Sequence, residues 1–156
     1  MSIVRVREFF AEYNMQDRIR EFDVSSATVA LAAEALGCEG ARIAKTLSFA
    51  IGERTVLIVA AGDARIDNRK YKERFSAKAK MLDFDDVFVR IGHAVGGVCP
   101  FAVNEGVEVY LDVSLKRFET VFPACGSSNS AIELNIPELE EYSRYLEWVD
   151  VCKLPE

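Results

Sequence analysis

Hydrophobic positions follow a helical spacing near the N-terminus of the chain. Over residues 3–13 this spacing predicts a first helix with one buried face, formed by Val6, Phe9, Phe10 and Tyr13. A short strand is predicted over residues 19–22. Ser25 and Ser26 are then candidate N-caps for a second helix, which Gly37 ends.

The centre of the chain changes to the alternating spacing of strands. Residues 46–51 alternate between small or polar and large apolar side chains, and residues 55–61 are rich in β-branched residues. The three residues between them, Gly52-Glu53-Arg54, form a natural turn. The pattern therefore predicts a β-hairpin.

Shorter elements of both kinds are predicted beyond the hairpin. Asp67 is a candidate N-cap for a basic helix to about Phe75, and Asn135 with Glu138 three positions later has the spacing of a capping box. Further strands are predicted over 78–82, 107–113, 120–124, 131–134 and 148–152, with a short helix over 85–90 and a helical turn after Ser114. Strands in the middle flanked by helices favour a single α+β domain over residues 1–156.

Composition excludes several classes of protein. The chain has 156 residues and 50% hydrophobic residues, but no apolar run approaches the roughly 18 residues of a membrane span. We therefore expect a soluble, cytoplasmic protein. Four cysteines lie far apart and indicate reduced thiols rather than a disulfide framework, and a single histidine gives no metal-ligand spacing. Neither a dinucleotide fingerprint nor a P-loop occurs, so no cofactor or metal is predicted.

Charge is distributed unevenly along the chain. The net charge is −6, yet residues 65–80 carry +5 and the remainder −11. The cations of this segment either form a solvated helix face or contact a few phosphates of a nucleic acid. Those considered as contacts are Arg65, Arg69, Lys70 and Lys72.

One loop has a composition that points to binding. Residues 91–101 contain three glycines, a proline and the only histidine. Glycines permit positive φ and close approach to the main chain, and unpaired N–H groups in such a turn can converge on an anion or a carbonyl oxygen. The alternative is a tight connection between a helix and a strand.

Two further features could contribute chemistry. Lys45 lies where a small-residue stretch becomes the apolar strand, so its ammonium would project from the mouth of a sheet, although surface exposure is the common fate of a lysine. The small polar segment 124–130 lies between two predicted strands. It offers further N–H groups and hydroxyls, or is an ordinary hairpin loop.

Together these segments resemble the YbaK family of aminoacyl-tRNA deacylases, which are related to the editing domain of bacterial prolyl-tRNA synthetases. The resemblance spans most of the chain and rests on three motifs in the family's order and spacing. They are Ala44-Lys45-Thr46-Leu47, residues 92–101 with a GxxxP core from Gly96 to Pro100, and Gly126-Ser127 before a strand.

The resemblance implies a curved, mixed, largely antiparallel sheet surrounded by helices, with a pocket between the Lys45 strand and the glycine loop. The backbone amides of Gly96, Gly97, Val98 and Cys99 would hold the ester carbonyl. Lys45 would contact the terminal adenosine or its phosphate, while a ribose hydroxyl and a bound water perform the attack. Further implied substrate contacts are Thr46, His93, Pro100, Gly126 and Ser127.

The implied activity is trans-acting hydrolysis of the ester of mischarged tRNA. The implied substrate is proline tRNA that carries a small wrong amino acid such as cysteine or alanine. A synthetase pocket distinguishes one methylene by only about 1–3 kcal/mol, so a second hydrolytic site is useful. The implied partners are the acceptor end of tRNA and prolyl-tRNA synthetase.

Two positions depart from the family pattern. Cys99 stands where many relatives carry a small hydroxyl residue, and His93 stands where others carry an aromatic residue. A nucleophile–base pair of Cys99 and His93 would need hydrogen-bond reach, which spacing alone does not establish. Two other functions remain open: a noncatalytic ligand-binding module that uses the same pocket, and a redox pair of Cys99 and Cys125.

Overall fold

The computed structural model describes residues 2–155, within which there are five α-helices and ten β-strands. The helices are α1 (Ser2–Ala11), α2 (Val29–Leu36), α3 (Asn68–Phe75), α4 (Phe84–Ile91) and α5 (Ile136–Ser143). The strands are β1 (Ile19–Glu21), β2 (Ile43–Ile51), β3 (Arg54–Ala61), β4 (Arg65–Ile66), β5 (Glu108–Asp112), β6 (Thr120–Pro123), β7 (Ser130–Ile132), β8 (Leu134–Asn135), β9 (Glu147–Val149) and β10 (Cys152–Lys153). Short 3₁₀ turns occur at Gln16–Arg18, Gly40–Arg42 and Val113–Arg117.

Six strands form a curled mixed sheet in the order β8-β6-β2-β3-β5-β9. The β2–β3 hairpin is antiparallel over eight residue pairs, which confirms the predicted hairpin. Three pairs are parallel: β2–β6, β3–β5 and β5–β9. They are parallel because the chain returns to the sheet through helices and long loops rather than through tight turns. The predicted α+β fold with a mixed, largely antiparallel sheet is confirmed. The hairpin, β6–β8 and the separate pairs β1–β7 and β4–β10 are antiparallel.

The core surrounds β3, whose side chains from Thr55 to Ala61 are all buried because both faces of this central strand are covered. α1 contributes Phe10, whose ring meets that of Phe101 edge-on at 5.0 Å between centroids. This contact anchors the exit of the glycine loop. No helix within residues 2–155 has the length and apolar character needed to cross a membrane.

Three helix ends follow the sequence signals. Asp67 accepts hydrogen bonds from the N–H groups of Arg69 and Lys70, at 3.0 and 3.2 Å. Asn135 and Glu138 form the predicted capping box, and Gly37 ends α2 with φ of 68°.

The start of α2 differs from the prediction. Its N-cap is Thr28, which accepts from the N–H of Leu31 at 3.2 Å. The predicted caps, Ser25 and Ser26, instead place their hydroxyls 3.4 and 3.3 Å from the carbonyl of Ser128. The Oγ of Ser25 still accepts from the N–H of Ala27 at 3.2 Å, but the helix itself begins later, at Val29.

Three predicted strands also differ. Residues 78–82 form only an isolated bridge between Met81 and Phe49, although they run beside β2. Residues 131–134 divide between β7 and β8, which pair with different strands. Residues 148–152 divide between β9 and β10, because the N–H of Val151 donates to the buried carboxylate of Asp112 at 3.0 Å and the chain changes sheet there.

Candidate functional site

A pocket of about 470 Å³ lies beside β2, at the place where the sequence predicts a site. Its walls come from four further segments: the approach to α2, the segment from Met81 into α4, the glycine loop, and strands β6 and β7 with the loop between them. Most lining side chains are apolar, with serine and threonine hydroxyls among them. Lys45 is the only titratable side chain in the lining formed by the described residues.

The pocket opens along an unpaired part of β2. β6 pairs with β2 only at Ile43 and Ala44, and the segment before α4 hydrogen-bonds with it only at Ser48 and Ala50. Between these contacts, the outer edge of residues 45–47 meets no other strand among residues 2–155. Backbone polar groups along this edge are therefore available to a ligand.

Lys45 is half-buried, and its ammonium is positioned by backbone. Nζ donates to the carbonyl of Ala64 and lies 3.5 Å from that of Gly62. Burial lowers the pKa of this lysine below its usual value. The neighbouring carboxylate of Asp63 is bonded to Arg117 at 3.1 Å, so Lys45 has no ion-pair partner in the described part of the chain.

The glycine loop continues from α4 and has two backbone conformations that favour glycine. Gly92 ends α4 with φ of 97°, and Gly96, with φ of 92°, lines the pocket. Val98 lines it as well. The N–H groups of Gly96, Val98 and Cys99 donate to no protein acceptor within residues 2–155, whereas that of Gly97 donates to the carbonyl of Ala94 at 3.0 Å.

Gly97 is the place where the glycine loop packs against the turn at residues 126–130. A Cβ atom on Gly97 would lie 2.6 Å from the backbone nitrogen of Ser127 and 2.7 Å from the carbonyl carbon of Gly126. The Ser127 hydroxyl lies 2.7 Å from that of Ser130, which lines the pocket. Gly97, Gly126 and Ser127 therefore form the support behind the pocket wall.

His93 and Cys99 meet inside the glycine loop. The Sγ atom of Cys99 lies 3.5 Å from Nε2 of His93, which is itself 2.7 Å from the carbonyl oxygen of Phe101. Both side chains are fully buried and neither lines the pocket. Burial raises the pKa of Cys99 to about 12 and lowers that of His93, so the thiol is protonated near neutral pH.

Four sequence-predicted residues line the pocket: Lys45, Thr46, Gly96 and Val98. The other six, from the two loops, do not line it: His93, Gly97, Cys99, Pro100, Gly126 and Ser127. Sequence reasoning missed Gly62 and Ala64, whose carbonyls hold Lys45, and the walls at Thr28, Met81, Phe84, Val87 and Phe122. The one sequence signal for Gly62 was its position directly after a strand rich in β-branched residues.

The four candidate cations of the basic segment lie on β4 and α3, outside the pocket lining. Arg69 is 3.2 Å from Glu73 and Lys70 is 3.1 Å from Asp150, so these two cations form exposed ion pairs. Arg65 and Lys72 are exposed and form no ion pair with another described residue. Arg65 also stands opposite Lys153 in the β4–β10 pair, which places two like charges side by side.

We expect the four cysteines to react unequally with a thiol reagent in the native protein. Cys38 is half-buried, whereas Cys99, Cys125 and Cys152 are buried and burial raises the pKa of all three. Ellman's reagent should therefore modify Cys38 first and the others only after unfolding, as peptide mass mapping would show. Prompt reaction of Cys99, or a Cys99–Cys125 disulfide under mild oxidation, would contradict this expectation and favour the redox pair.

Comparison with known proteins points to one family. The model of the aminoacyl-tRNA editing domain family matches residues 24–142, which include β2, the glycine loop and the 126–130 turn. The uncharacterized protein YwhH of Bacillus subtilis (strain 168) is 55% identical over 154 residues, covering 98% of each chain.

Solved structures share the fold. A protein proposed as a trans-editing enzyme for prolyl tRNA synthetase superposes with a TM-score of 0.87 and 25% identity, covering 97% of both chains. The hypothetical protein APE2540 gives a TM-score of 0.78 and 26% identity, covering 92% of this chain and 99% of its own.

Proposed function

Since this chain belongs to the aminoacyl-tRNA editing domain family, we propose that it is a trans-acting deacylase that hydrolyses the ester of mischarged tRNA in the cytoplasm. One observation carries the proposal. The pocket has a lysine without an ion-pair partner in its lining and free amides of a glycine loop beside it, and its volume of about 470 Å³ is enough for an aminoacyl group.

The amides of Gly96 and Val98 are the proposed electrostatic catalysts. When water attacks the ester carbonyl, negative charge develops on its oxygen, and N–H groups without protein acceptors can stabilise that charge. The amide of Gly97 is engaged within its own turn, so the donor role moves to its two neighbours, which line the pocket.

The attacking water is proposed to be activated by the substrate rather than by the protein. No carboxylate or imidazole belongs to the lining that the described residues form, and Lys45 carries a proton that its two carbonyl acceptors stabilise. A hydroxyl of the terminal ribose then orients the water. The water oxygen bonds to the carbonyl carbon and the ester C–O bond breaks. The departing ribose oxygen receives one proton of the water, and the other is released when the new carboxylic acid ionises.

Lys45 is proposed to position the terminal adenosine. Its charge is not neutralised by a carboxylate, so it can attract the phosphate that precedes the esterified ribose. Positioning of this kind accelerates reaction by holding the ester carbonyl near the loop amides.

The proposed substrate is proline tRNA carrying cysteine or alanine, with prolyl-tRNA synthetase as the enzyme whose errors are corrected. An apolar pocket suits a small, weakly polar side chain. The link to proline tRNA rests on the resemblance and on a structural relative proposed to act for prolyl tRNA synthetase.

A panel of charged tRNAs tests this substrate. Release of amino acid is measured from proline tRNA bearing alanine, cysteine, serine, threonine or the cognate proline. We expect hydrolysis of the cysteinyl or alanyl ester well above its spontaneous rate, with the prolyl ester spared. Equal hydrolysis of the prolyl ester would contradict an editing function, and tight binding without hydrolysis of any ester would favour the noncatalytic binding module.

A further inference from the structure

Three large apolar side chains at the pocket mouth are unusually exposed. Met81, Phe84 and Val95 line the pocket, yet they are 56%, 75% and 49% exposed. Exposed apolar groups gathered at the edge of a cavity mark a contact surface, because leaving them in water is unfavourable. Phe84 is the only aromatic residue among the three, and it begins α4.

The charges around this rim indicate what it contacts. Asp85 and Asp86 directly follow Phe84, are exposed, and form no ion pair with another residue that the structure describes. Carboxylates repel phosphates, so a phosphodiester chain is disfavoured on this side. Positive charge comes from Lys45 on β2 and from Arg65 outside the pocket lining, and neither belongs to the rim, so the rim beside Phe84 suits an uncharged, flat group.

From these observations, and resting on the proposed deacylase function, we propose that the ring of Phe84 stacks on the terminal nucleobase of the tRNA acceptor end. If the aminoacyl group fills the pocket, the ribose that carries it lies at the mouth. The base is attached to that same ribose and must lie against the rim. Unpaired bases stack on exposed aromatic rings with little dependence on their identity.

The matched control lies one helical turn further along α4. Phe88 is also highly exposed, at 59%, and shares a helix face with Phe84, but it does not line the pocket. We expect Phe84→Ala to lower kcat/KM by roughly 5- to 150-fold, mainly through KM, as loss of one stacked base does. Phe84→Tyr should keep the aromatic ring and the wild-type kcat/KM, and Phe84→Leu should lose as much as Phe84→Ala. Phe88→Ala should leave kcat/KM unchanged.

A binding measurement separates this inference from the proposed function. The probe is a tRNA acceptor microhelix that carries no amino acid and has 2-aminopurine as its terminal base. The fluorescence of that base falls when it stacks. We expect quenching by the wild-type protein, Phe84→Tyr and Phe88→Ala, and none by Phe84→Ala or Phe84→Leu. Because no ester is present, quenching that depends on Phe84 would support the inference even if the panel of esters showed no hydrolysis.

Two results would overturn the inference. Quenching that persists in Phe84→Ala would place the base elsewhere. Equal losses in Phe84→Ala and Phe88→Ala, accompanied by loss of self-association in sedimentation, would instead assign this helix face to a second copy of the chain. Thermal unfolding of each variant is the control for folding. We expect it to match the wild type, because both rings are exposed.

Discussion

Replacing Lys45 by alanine is expected to lower the rate of ester hydrolysis by about 100-fold or more, the scale of effect for a lost positioning group. The lysine is the only titratable residue of the described pocket lining, and two backbone carbonyls hold its ammonium in place. Its pKa is lowered by burial, which means that the fold disfavours the charge. The substitution removes this desolvation cost but leaves the carbonyls of Gly62 and Ala64 without their donor, so we expect the free energy of unfolding to change by no more than about 1 kcal/mol.

Single-turnover hydrolysis and urea unfolding of the same samples check both parts of this prediction. Lys116→Ala is the matched control, because the Lys116 ammonium lies outside the pocket, 4.4 Å from the centre of the Trp148 ring. Lys45→Arg should retain part of the activity, since it keeps the charge but changes the shape of the donor. A Lys45→Ala rate within about threefold of wild type would remove Lys45 from the proposed mechanism.

Replacing Gly97 by alanine is expected to reduce both stability and activity. The new Cβ would lie within 2.8 Å of three backbone atoms of Gly126 and Ser127, and backbone cannot turn aside as a flexible side chain can. Separating the two loops should lower the free energy of unfolding by about 1–3 kcal/mol. It should also move the amides of Gly96 and Val98 and slow hydrolysis by about 100-fold.

Gly40→Ala provides the control for this substitution. A Cβ there meets only Val29, at an ordinary 3.5 Å, and the residue lies in a 3₁₀ turn outside the pocket lining. We expect the free energy of unfolding to change by no more than about 0.5 kcal/mol and the rate of hydrolysis to equal that of the wild type. If Gly97→Ala matched this control, the packing of the glycine loop on the 126–130 turn would not be needed for the site.

Local signals predicted the parts of the fold that depend on neighbouring residues. Asp67 and Asn135 cap their helices as expected because capping needs only the next three residues. Ser25 and Ser26 are not caps because contacts with Ser128, about a hundred positions away, hold this segment outside the helix, which begins only at Val29 after Thr28. The division of residues 148–152 likewise depends on Asp112, which no local pattern identifies.

The family assignment from three motifs is confirmed, and the pocket lies between the predicted segments. The motifs did not indicate which of their residues line the pocket. Gly97 and Cys99 belong to the same loop as Gly96 and Val98, but alternation and tight packing direct them inward. The sequence also did not predict the exposed rim of Met81, Phe84 and Val95, because its position beside β2 depends on contacts between distant segments.

Multiple-turnover hydrolysis is the measurement that tests the central claim most directly. The protein is mixed with a large molar excess of the preferred mischarged proline tRNA, and free amino acid is counted per protein molecule after subtraction of spontaneous hydrolysis. A deacylase releases many equivalents and leaves intact, rechargeable tRNA. Release at the spontaneous rate despite saturable binding would contradict catalysis and identify the pocket as a binding site alone.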